Sequence, residues 1–268
     1  MGSIWMKDER PVVVVTGASS GIGAAVALRL GVAGCRVVAT GRDAARLDGT
    51  VAAIRAEGGA ATAVCLDLTA AAEIEAFAAG FGESHGAVGA LVLCAGDADI
   101  ATVEELSPAG LAAMVDVNLI GAHRLIHALL PAMIERRRGD IVVVSSENVT
   151  RFKPMMAAYT ASKCALEALA VTMQKELEGT GVRTSIVRPG STRTAMGSTW
   201  APAELGALFG LWGRWGLARH SGRMDPDHVA QVVEFVLGAP REMNVACVEV
   251  QPEAPVASVE EAKTVAAK

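Results

Sequence analysis

The feature that most constrains the fold of this chain is the alternation of short apolar runs with longer helical stretches. Seven runs consist mainly of Val, Ile, Leu and Ala, at residues 11–16, 36–40, 62–67, 90–94, 140–145, 183–188 and 244–250. Because most of these runs lack polar alternation, they indicate strands buried on both faces, as in parallel sheets. Stretches with helical periodicity separate them, at residues 22–33, 44–57, 71–81, 103–138, 155–178 and 226–237. This order predicts a doubly wound α/β fold, with helices on both faces of a seven-stranded parallel sheet.

The chain is 268 residues long, which allows one large domain or two small ones. Since no Pro/Gly/Ser-rich linker and no repeat divides it, we predict a single domain over residues 11–252. Residues 1–10 form a charged N-terminal extension, and residues 253–268 are expected to be a loosely ordered tail. Residues 195–224 interrupt the alternation and are rich in Gly and Trp, which favours a substrate-binding lid. The alternative is a pair of amphipathic helices packed on the body or on another subunit.

Composition argues against several kinds of partner. The formal net charge of −5 argues against nucleic-acid binding. No apolar run approaches the roughly 18–20 residues of a membrane-spanning helix, and the charged start is unlike a secretory signal. The five cysteines are scattered without a C-x-x-C pair, so we expect free thiols in a cytoplasmic protein. His123 and His127 lie four residues apart without a third ligand nearby, so we interpret them as a packed pair and predict no metal site.

A glycine-rich turn follows the first predicted strand. Residues 16–23 read Thr-Gly-Ala-Ser-Ser-Gly-Ile-Gly and lead directly into a predicted helix. Glycines allow a tight turn and close approach of the backbone to a pyrophosphate, while the helix N-terminus offers unpaired N–H groups. An ordinary Gly-rich turn is the alternative. The context favours a dinucleotide site with predicted contacts at Gly17, Ser19, Ser20, Gly21, Ile22 and Gly23.

The ends of the next two strands bear on the choice of cofactor. Gly41 stands where an acidic residue would bind the ribose 2′-hydroxyl of NAD, and Arg42 follows it. Since the planar arginine fork binds phosphate well, this favours NADP(H) over NAD(H); alternatively, Arg42 is a solvated residue beside Asp43. Asp67, at the end of the third strand, is a weaker candidate for adenine binding, because Asp also caps helices.

A later helical stretch contains Tyr159 and Lys163, and the spacing of four places them on one helix face. A phenol titrates at about pH 10 in water, and a nearby ammonium is the physical means of lowering that pKa. Ser146 ends a buried strand thirteen residues before Tyr159, where its hydroxyl can hold a carbonyl oxygen. These three side chains predict proton exchange with a carbonyl or alcohol group.

Taken together, these motifs resemble the classical short-chain dehydrogenase/reductase family over about residues 11–252. The resemblance rests on the order and spacing of the turn at 16–23, Asp67, Cys94-Ala95-Gly96, Asn118, Ser146, Tyr159 with Lys163, and Pro189-Gly190. It implies a Rossmann fold and the catalytic residues Asn118, Ser146, Tyr159 and Lys163.

The resemblance also implies a role for each of these residues. Tyr159 would be the general acid/base, and Lys163 would lower its pKa and bind the nicotinamide ribose. Ser146 would orient the substrate oxygen, while Asn118 would support a water in a proton relay with Lys163. Asn118, Tyr159 and Lys163 also count among the implied cofactor contacts. Besides these three residues, the glycine turn, Arg42 and Asp67, the implied cofactor contacts are Leu68, Cys94, Ala95, Gly96, Pro189, Gly190, Thr192 and Thr194.

The sequence departs from the family pattern near the expected site. Cys94 replaces a usual Asn, which should loosen backbone positioning near the cofactor, and Thr192 replaces an aliphatic residue. Glu147 and Asn148 follow Ser146 where small or apolar residues are commoner. We predict that Glu147, Asn148 and Trp200 contact substrate; the alternative is that Glu147 points to solvent.

We therefore predict an NADP(H)-dependent oxidoreductase that interconverts a ketone and a secondary alcohol by hydride transfer. Alternatives within the family are a 3-oxoacyl-carrier-protein reductase, with the arginines at 136–138 as a dock for the acidic carrier, and an NAD-dependent alcohol dehydrogenase. The non-enzymatic alternative is a dinucleotide-binding regulator on the same scaffold. The resemblance implies a homotetramer or homodimer built on the two long helices, and we expect a small-molecule substrate, no nucleic acid and no membrane.

Overall fold

Seven parallel strands form the centre of the described part of the chain, residues 10–218 and 220–254 of a computed structural model. The strands are β1 (Val12–Thr16), β2 (Arg36–Gly41), β3 (Ala60–Cys65), β4 (Val88–Leu93), β5 (Gly139–Val144), β6 (Val182–Pro189) and β7 (Cys247–Val250). Their order across the sheet is β3-β2-β1-β4-β5-β6-β7. This confirms the predicted doubly wound parallel sheet. Residues 1–9 of the N-terminal extension and 255–268 of the tail lie outside the described residues.

Strand bounds follow from position in the sheet. β1 and β5 are buried along their whole length, because both have neighbours on each side and helices on each face. β7 lies at the edge, has no fully buried residue and begins at Cys247 rather than at the predicted residue 244. β3 occupies Ala60–Cys65 rather than 62–67, because its register with β2 pairs Arg36 with Ala60 and Gly41 with Cys65.

Helices cover both faces of the sheet. They are α1 (Gly21–Val32), α2 (Ala44–Ala56), α3 (Ala71–His85), α4 (Pro108–Val115), α5 (Gly121–Glu135), α6 (Asn148–Arg151), α7 (Ala157–Glu176), α8 (Pro202–Arg214) and α9 (Pro226–Leu237). The predicted helix at 103–138 starts later, because the Ser107 hydroxyl accepts from the Gly110 N–H at 3.0 Å and Pro108 favours the first helical position. A π-helical turn, Asp116–Ile120, joins α4 to α5.

The core consists of two apolar layers separated by the sheet. Alternate residues of β1 enter opposite layers: Val13 and Val15 pack with α1, α2 and α9, whereas Val12 and Val14 pack with α3, α5 and α7. In the first layer, the Arg29 guanidinium ties α1 to α9 by pairing with Asp227 at 2.6 Å and Glu234 at 3.0 Å. These layers hold the strands rigidly, so the loops at the strand ends have defined starting points.

The helical segment from Pro108 to Glu135 is long and apolar enough, by length and composition alone, to cross a membrane. This differs from the expectation that the chain contains no such segment, because α4 and α5 run together and their first half carries few charges. The core helix of a soluble protein passes the same test, and Leu125, Leu129 and Met133 on this segment are buried against the sheet.

Replacing Leu125 with alanine tests the packing of this segment. Leu125 is fully buried, so Leu125→Ala should lower the free energy of unfolding by about 2–5 kcal/mol through lost apolar burial and the resulting cavity. Leu111→Ala is the matched control, because Leu111 is 38% exposed on the same segment and its loss should cost far less. Urea titrations of both variants measure the difference; equal losses would contradict this placement of α5.

Candidate active site

The predicted site residues converge at the carboxyl edge of the sheet. β1, β4, β5 and β6 end at Thr16, Leu93, Val144 and Pro189, and the sheet order places these ends on neighbouring or nearly neighbouring strands. Ligands of open α/β sheets bind at this edge, where the strand order reverses between β1 and β4. Each motif singled out in the sequence follows one of the strand ends or lies on a helix beside them.

The glycine turn requires glycine for steric reasons. Gly17 has a φ of +66°, and a Cβ atom there would lie 2.9 Å from the Ala95 Cα. A Cβ on Gly23 would lie 2.3 Å from the Gly17 carbonyl oxygen, so the start of α1 sits directly against the end of β1. The Thr16 hydroxyl accepts the Ala95 N–H at 3.0 Å and fixes the neighbouring β4 loop.

This arrangement fits a dinucleotide. The first turn of α1 contains no acidic residue, and its N–H groups and helix dipole favour an anion. A Cβ on Gly21 would lie 3.1 Å from the Thr194 methyl carbon, so the loop after β6 reaches across the glycine turn. A pyrophosphate placed at the helix start would therefore have Thr194 on its other side.

The ends of β2 and β3 form the adjoining polar surface. Arg42 is exposed, and the Ser19 hydroxyl lies beside Gly41, where a Cβ would be 3.3 Å from its oxygen. Asp43 accepts the Arg46 N–H and pairs with the Arg46 guanidinium at 3.2 Å, so its charge is engaged at the start of α2. Ser19 and Arg42 therefore border the same end of β2.

Asp67 and Leu68 follow β3. The Thr69 N–H and hydroxyl each donate to Asp67 Oδ1 at 2.8 Å, and these bonds hold the pKa of the Asp67 carboxyl below its usual value. Leu68 is buried, and its side chain and carbonyl oxygen lie against Gly121, where a Cβ would be 2.7 Å away. This close contact between Leu68 and Gly121 packs the loop after β3 against the start of α5.

The loop after β4 lies close to α7, the helix that carries Tyr159 and Lys163. A Cβ on Gly96 would lie 3.1 Å from Lys163 Nζ and 3.2 Å from Asn118 Oδ1, so glycine makes this juxtaposition possible. Cys94 precedes this loop, and burial raises the pKa of its thiol to about 12, although the Lys163 ammonium opposes that rise. The thiol is therefore neutral at physiological pH.

Asn118 lies in the π-helical turn and is completely buried. Its Oδ1 accepts the Asp97 N–H at 2.8 Å, and its Nδ2 donates to the Asp97 carbonyl and the Ser162 hydroxyl, each at 2.9 Å. The Ser162 hydroxyl donates in turn to the Tyr159 carbonyl at 2.8 Å. Asn118 thus joins the loop after β4 to the helix that carries Tyr159 and Lys163.

Tyr159, Ser146 and Lys163 lie together but are each less than 9% exposed. The Ser146 side chain lies near enough to the Tyr159 phenol to lower its pKa, and Ser146 Oγ accepts the Asn148 N–H at 3.2 Å. Lys163 Nζ donates to the Val144 carbonyl at 3.0 Å and lies 5.9 Å from the centroid of the Tyr159 ring.

The electrostatics of this pair are set mainly by burial. Burial raises the pKa of Tyr159; the Ser146 side chain opposes this rise, and the Glu147 carboxylate adds to it. Burial lowers the pKa of Lys163 to about 8. Lys163 is not among the groups that shift the Tyr159 pKa here, so its predicted role in lowering that pKa stays a prediction.

The loop after β6 is held in place by its own backbone. The Glu147 N–H donates to the Pro189 carbonyl at 3.0 Å, and the Gly190 N–H donates to the Val250 carbonyl at 2.7 Å. The Thr192 hydroxyl donates to the Gly190 carbonyl at 2.9 Å, which turns it toward its own loop. These bonds place residues 189–194 between the loop that contains Ser146 and the glycine turn. The family resemblance predicts that the nicotinamide binds along this segment.

The three predicted substrate residues have different environments. Glu147 is 9% exposed and its Oε1 pairs with Lys153 Nζ at 2.5 Å, so the alternative in which Glu147 points to solvent is wrong. Asn148 is buried, and its Nδ2 donates to the Met156 sulfur at 3.3 Å. Trp200 is half-buried, packs on Gly197, and joins the apolar cluster that contains Tyr159.

Sequence reasoning missed Lys153 and did not single out Trp212 as a site residue. Lys153 Nζ lies 4.5 Å from the centroid of the Trp212 ring, and Trp212 Nε1 donates to the Pro154 carbonyl at 3.0 Å. The opposite charges of Glu147 and Lys153 were visible in the sequence. Their pairing depends on the path of the chain through α6, which has no sequence signature.

The two histidines on α5 stack with ring centroids 6.1 Å apart. Among the described residues, no group of three or more His, Cys, Asp or Glu side chains is placed to hold a metal ion. The five cysteines are free thiols.

The fold and this polar edge define a dinucleotide-binding α/β protein with a buried tyrosine–lysine pair. Residues 11–205 match the family model described as short chain dehydrogenase, and the chain therefore belongs to the short-chain dehydrogenase/reductase family of oxidoreductases. An uncharacterised oxidoreductase from Staphylococcus saprophyticus is 32% identical over 243 residues, which cover 90% of this chain and 97% of the relative.

Solved structures show the same fold. A metagenomic short-chain oxidoreductase in complex with NADP is 34% identical, with a TM-score of 0.77 over 92% of this chain and 99% of that one. An alcohol dehydrogenase from the archaeon Thermococcus sibiricus, complexed with 5-hydroxy-NADP, is 28% identical, with a TM-score of 0.79 over 93% of this chain and 100% of that one.

Lys163 should make stability depend on pH. Its pKa falls from 10.5 in the unfolded chain to about 8 in the folded one, so the unfolded chain holds more protons between these values and stability rises with pH there. Between about pH 8 and about pH 10, the free energy of unfolding should therefore rise more for the wild type than for Lys163→Met. Denaturant titrations at both pH values test this. Lys175→Met, which replaces an exposed lysine on the same helix, is the control. A difference in unfolding free energy between the wild type and Lys163→Met that does not change with pH would contradict the burial of the Lys163 ammonium.

Proposed function

We propose that this protein is an NADP(H)-dependent oxidoreductase that reduces a ketone to a secondary alcohol. The observation that carries the proposal is that the buried Tyr159 phenol, Ser146 and Lys163 lie together at the carboxyl edge of a dinucleotide fold. Because burial raises the pKa of Tyr159, the phenol keeps its proton at neutral pH. In this protonation state it can act as the general acid in carbonyl reduction, and its conjugate base can serve the reverse reaction.

Each residue has a defined part in this proposal. The bound nicotinamide supplies the hydride to the carbonyl carbon. Ser146 donates a hydrogen bond that orients the carbonyl oxygen, and Tyr159 delivers the proton to that oxygen. Lys163, whose pKa lies at about 8, can exchange a proton near neutral pH and restore the phenol. Asn118 holds the backbone of the loop after β4 against the helix that carries both groups.

The proposed preference for NADP(H) rests on Arg42 and Ser19. Arg42 is exposed at the end of β2, and Ser19 lies beside Gly41 where an acidic residue would repel a 2′-phosphate. Asp43, the carboxylate next to Arg42 in the sequence, is engaged by Arg46, whereas Asp67 interacts electrostatically with Arg42. A permanently charged guanidinium and a hydroxyl suit a phosphate monoester on the ribose.

Two serine variants and one tyrosine variant test the acid–base assignment. Tyr159→Phe should lower kcat for NADPH-dependent reduction of ethyl acetoacetate or cyclohexanone by about 10²–10⁴-fold while NADPH still binds, because the proton donor is lost. Ser146→Ala should also lower kcat. Ser145→Ala is the matched control, because among the described side chains the buried Ser145 Oγ has no hydrogen-bond partner. Turnover that persists in Tyr159→Phe would refute the assignment, whereas a wild type that turns over no carbonyl compound would favour the regulator alternative.

Replacing Arg42 tests the cofactor preference. Arg42→Ala should weaken NADPH binding by about 1.5–3 kcal/mol, the value of a hydrogen bond to a charged group, and should barely change NADH binding. Fluorescence titration with each cofactor measures both affinities. Arg55→Ala, at the other end of α2, is the control and should leave both affinities unchanged. Equal losses for NADPH and NADH in Arg42→Ala would show that Arg42 does not contact the 2′-phosphate.

A further inference from the structure

We propose that Glu147, Lys153 and Trp212 form a latch that holds α8 over the acid–base pair in the closed, substrate-binding arrangement. Lys153 and Trp212 are then positioning residues for the ketone. This inference rests on the proposed function and adds to it the device that controls the cover of the site. The latch joins Glu147, the residue that follows Ser146, to Trp212 on the predicted lid.

The acid–base pair lies under an apolar cover. Leu208 on α8 is only 1% exposed, and it packs in one cluster with Tyr159 and Met156. Leu205, Trp200 and Trp212 complete the side of this cluster that comes from residues 200–212. Tyr159 is also less than 9% exposed, so α8 forms part of the cover over its side chain.

The latch is a continuous series of contacts. Lys153 Nζ pairs with Glu147 Oε1 at 2.5 Å and lies 4.5 Å from the centroid of the Trp212 ring. The indole N–H of Trp212 donates to the Pro154 carbonyl at 3.0 Å, so Trp212 is bound to this segment through both its face and its edge. A buried cation over an indole face contributes more than an exposed one, because less water competes for the ammonium.

The chain conformation around Lys153 is specialised for this contact. Phe152 and Met155 both adopt positive φ values, +49° and +63°, which are uncommon for residues other than glycine. These two residues flank Lys153 and Pro154 and turn the lysine back toward Glu147. The Ala101 N–H donates to the Met155 carbonyl at 3.0 Å and fixes the far side of the turn. The segment therefore presents one ammonium to both Glu147 and α8.

Hydrogen exchange tests the latch without requiring turnover. In the NADPH-bound full-length protein, Trp212→Leu should increase exchange of the amides at 202–214 by about tenfold or more, while the amides of β1 and β5 stay protected. Trp212→Phe retains the ring face and should give a smaller increase. Trp215→Leu is the matched control, because Trp215 is 69% exposed at the end of the same helix and should leave exchange unchanged.

Steady-state kinetics with NADPH and ethyl acetoacetate test the positioning role. Trp212→Leu should raise KM for the ketone by about tenfold with a smaller change in kcat, because less of the protein is in the closed arrangement. Lys153→Arg keeps the charge and the ring contact and should retain most of the wild-type KM. The double variant Glu147→Gln/Lys153→Met removes both charges without leaving one buried alone, and should raise KM as Trp212→Leu does.

Two results would overturn the latch. Unchanged exchange at 202–214 in Trp212→Leu and in the double variant would show that these contacts do not hold α8. Faster exchange with an unchanged or lower KM would show that the closed arrangement is not the one that binds substrate. Failure of the Tyr159→Phe test would refute the proposed function and would leave the exchange measurement to decide the latch independently.

Discussion

The burial of a parallel sheet between two helical layers decides where the chemical groups of this protein lie. Parallel strands use their backbone hydrogen bonds within the sheet and need helical crossovers to return, so successive carboxyl ends share one edge. β1, β4, β5 and β6 therefore deliver the glycine turn, the Gly96 loop, Ser146 and the Pro189 loop to adjoining positions. Alternating residues of β1 anchor both layers, and this rigidity allows the loops to carry chemistry.

The same burial dominates the electrostatics of the site. It raises the pKa of Tyr159 and of the Cys94 thiol and lowers that of Lys163, so each of these groups is driven toward its neutral form. Glu147 and Lys153 are also buried, but their mutual pairing compensates both charges. The site thus holds an uncharged phenol next to a compensated ion pair, under a cover of apolar and aromatic side chains.

The parts of the site that were predictable are local in sequence. Continuous apolar runs indicated the strands, because a parallel sheet is buried on both faces, and the spacing of Tyr159 and Lys163 placed both on one face of a helix. Helix and strand ends were less predictable: Ser107 and Pro108 start α4 five residues after the predicted position, and pairing with β6 starts β7 late. The environment of Glu147 was not predictable, because its partner Lys153 is set by an irregular turn.

The sequence by itself predicted the fold class through its periodicity, and its motifs carried the resemblance to the family and the choice of Tyr159 and Lys163 as acid–base candidates. Only the tertiary structure decided how those residues are charged and covered. The direction of the Tyr159 pKa depends on burial by α8 and on Glu147, and the contact between Lys153 and Trp212 joins distant segments of the chain. Such contacts depend on how deeply the packed layers bury a group and on which segments they bring together, and neither quantity is encoded in a local pattern.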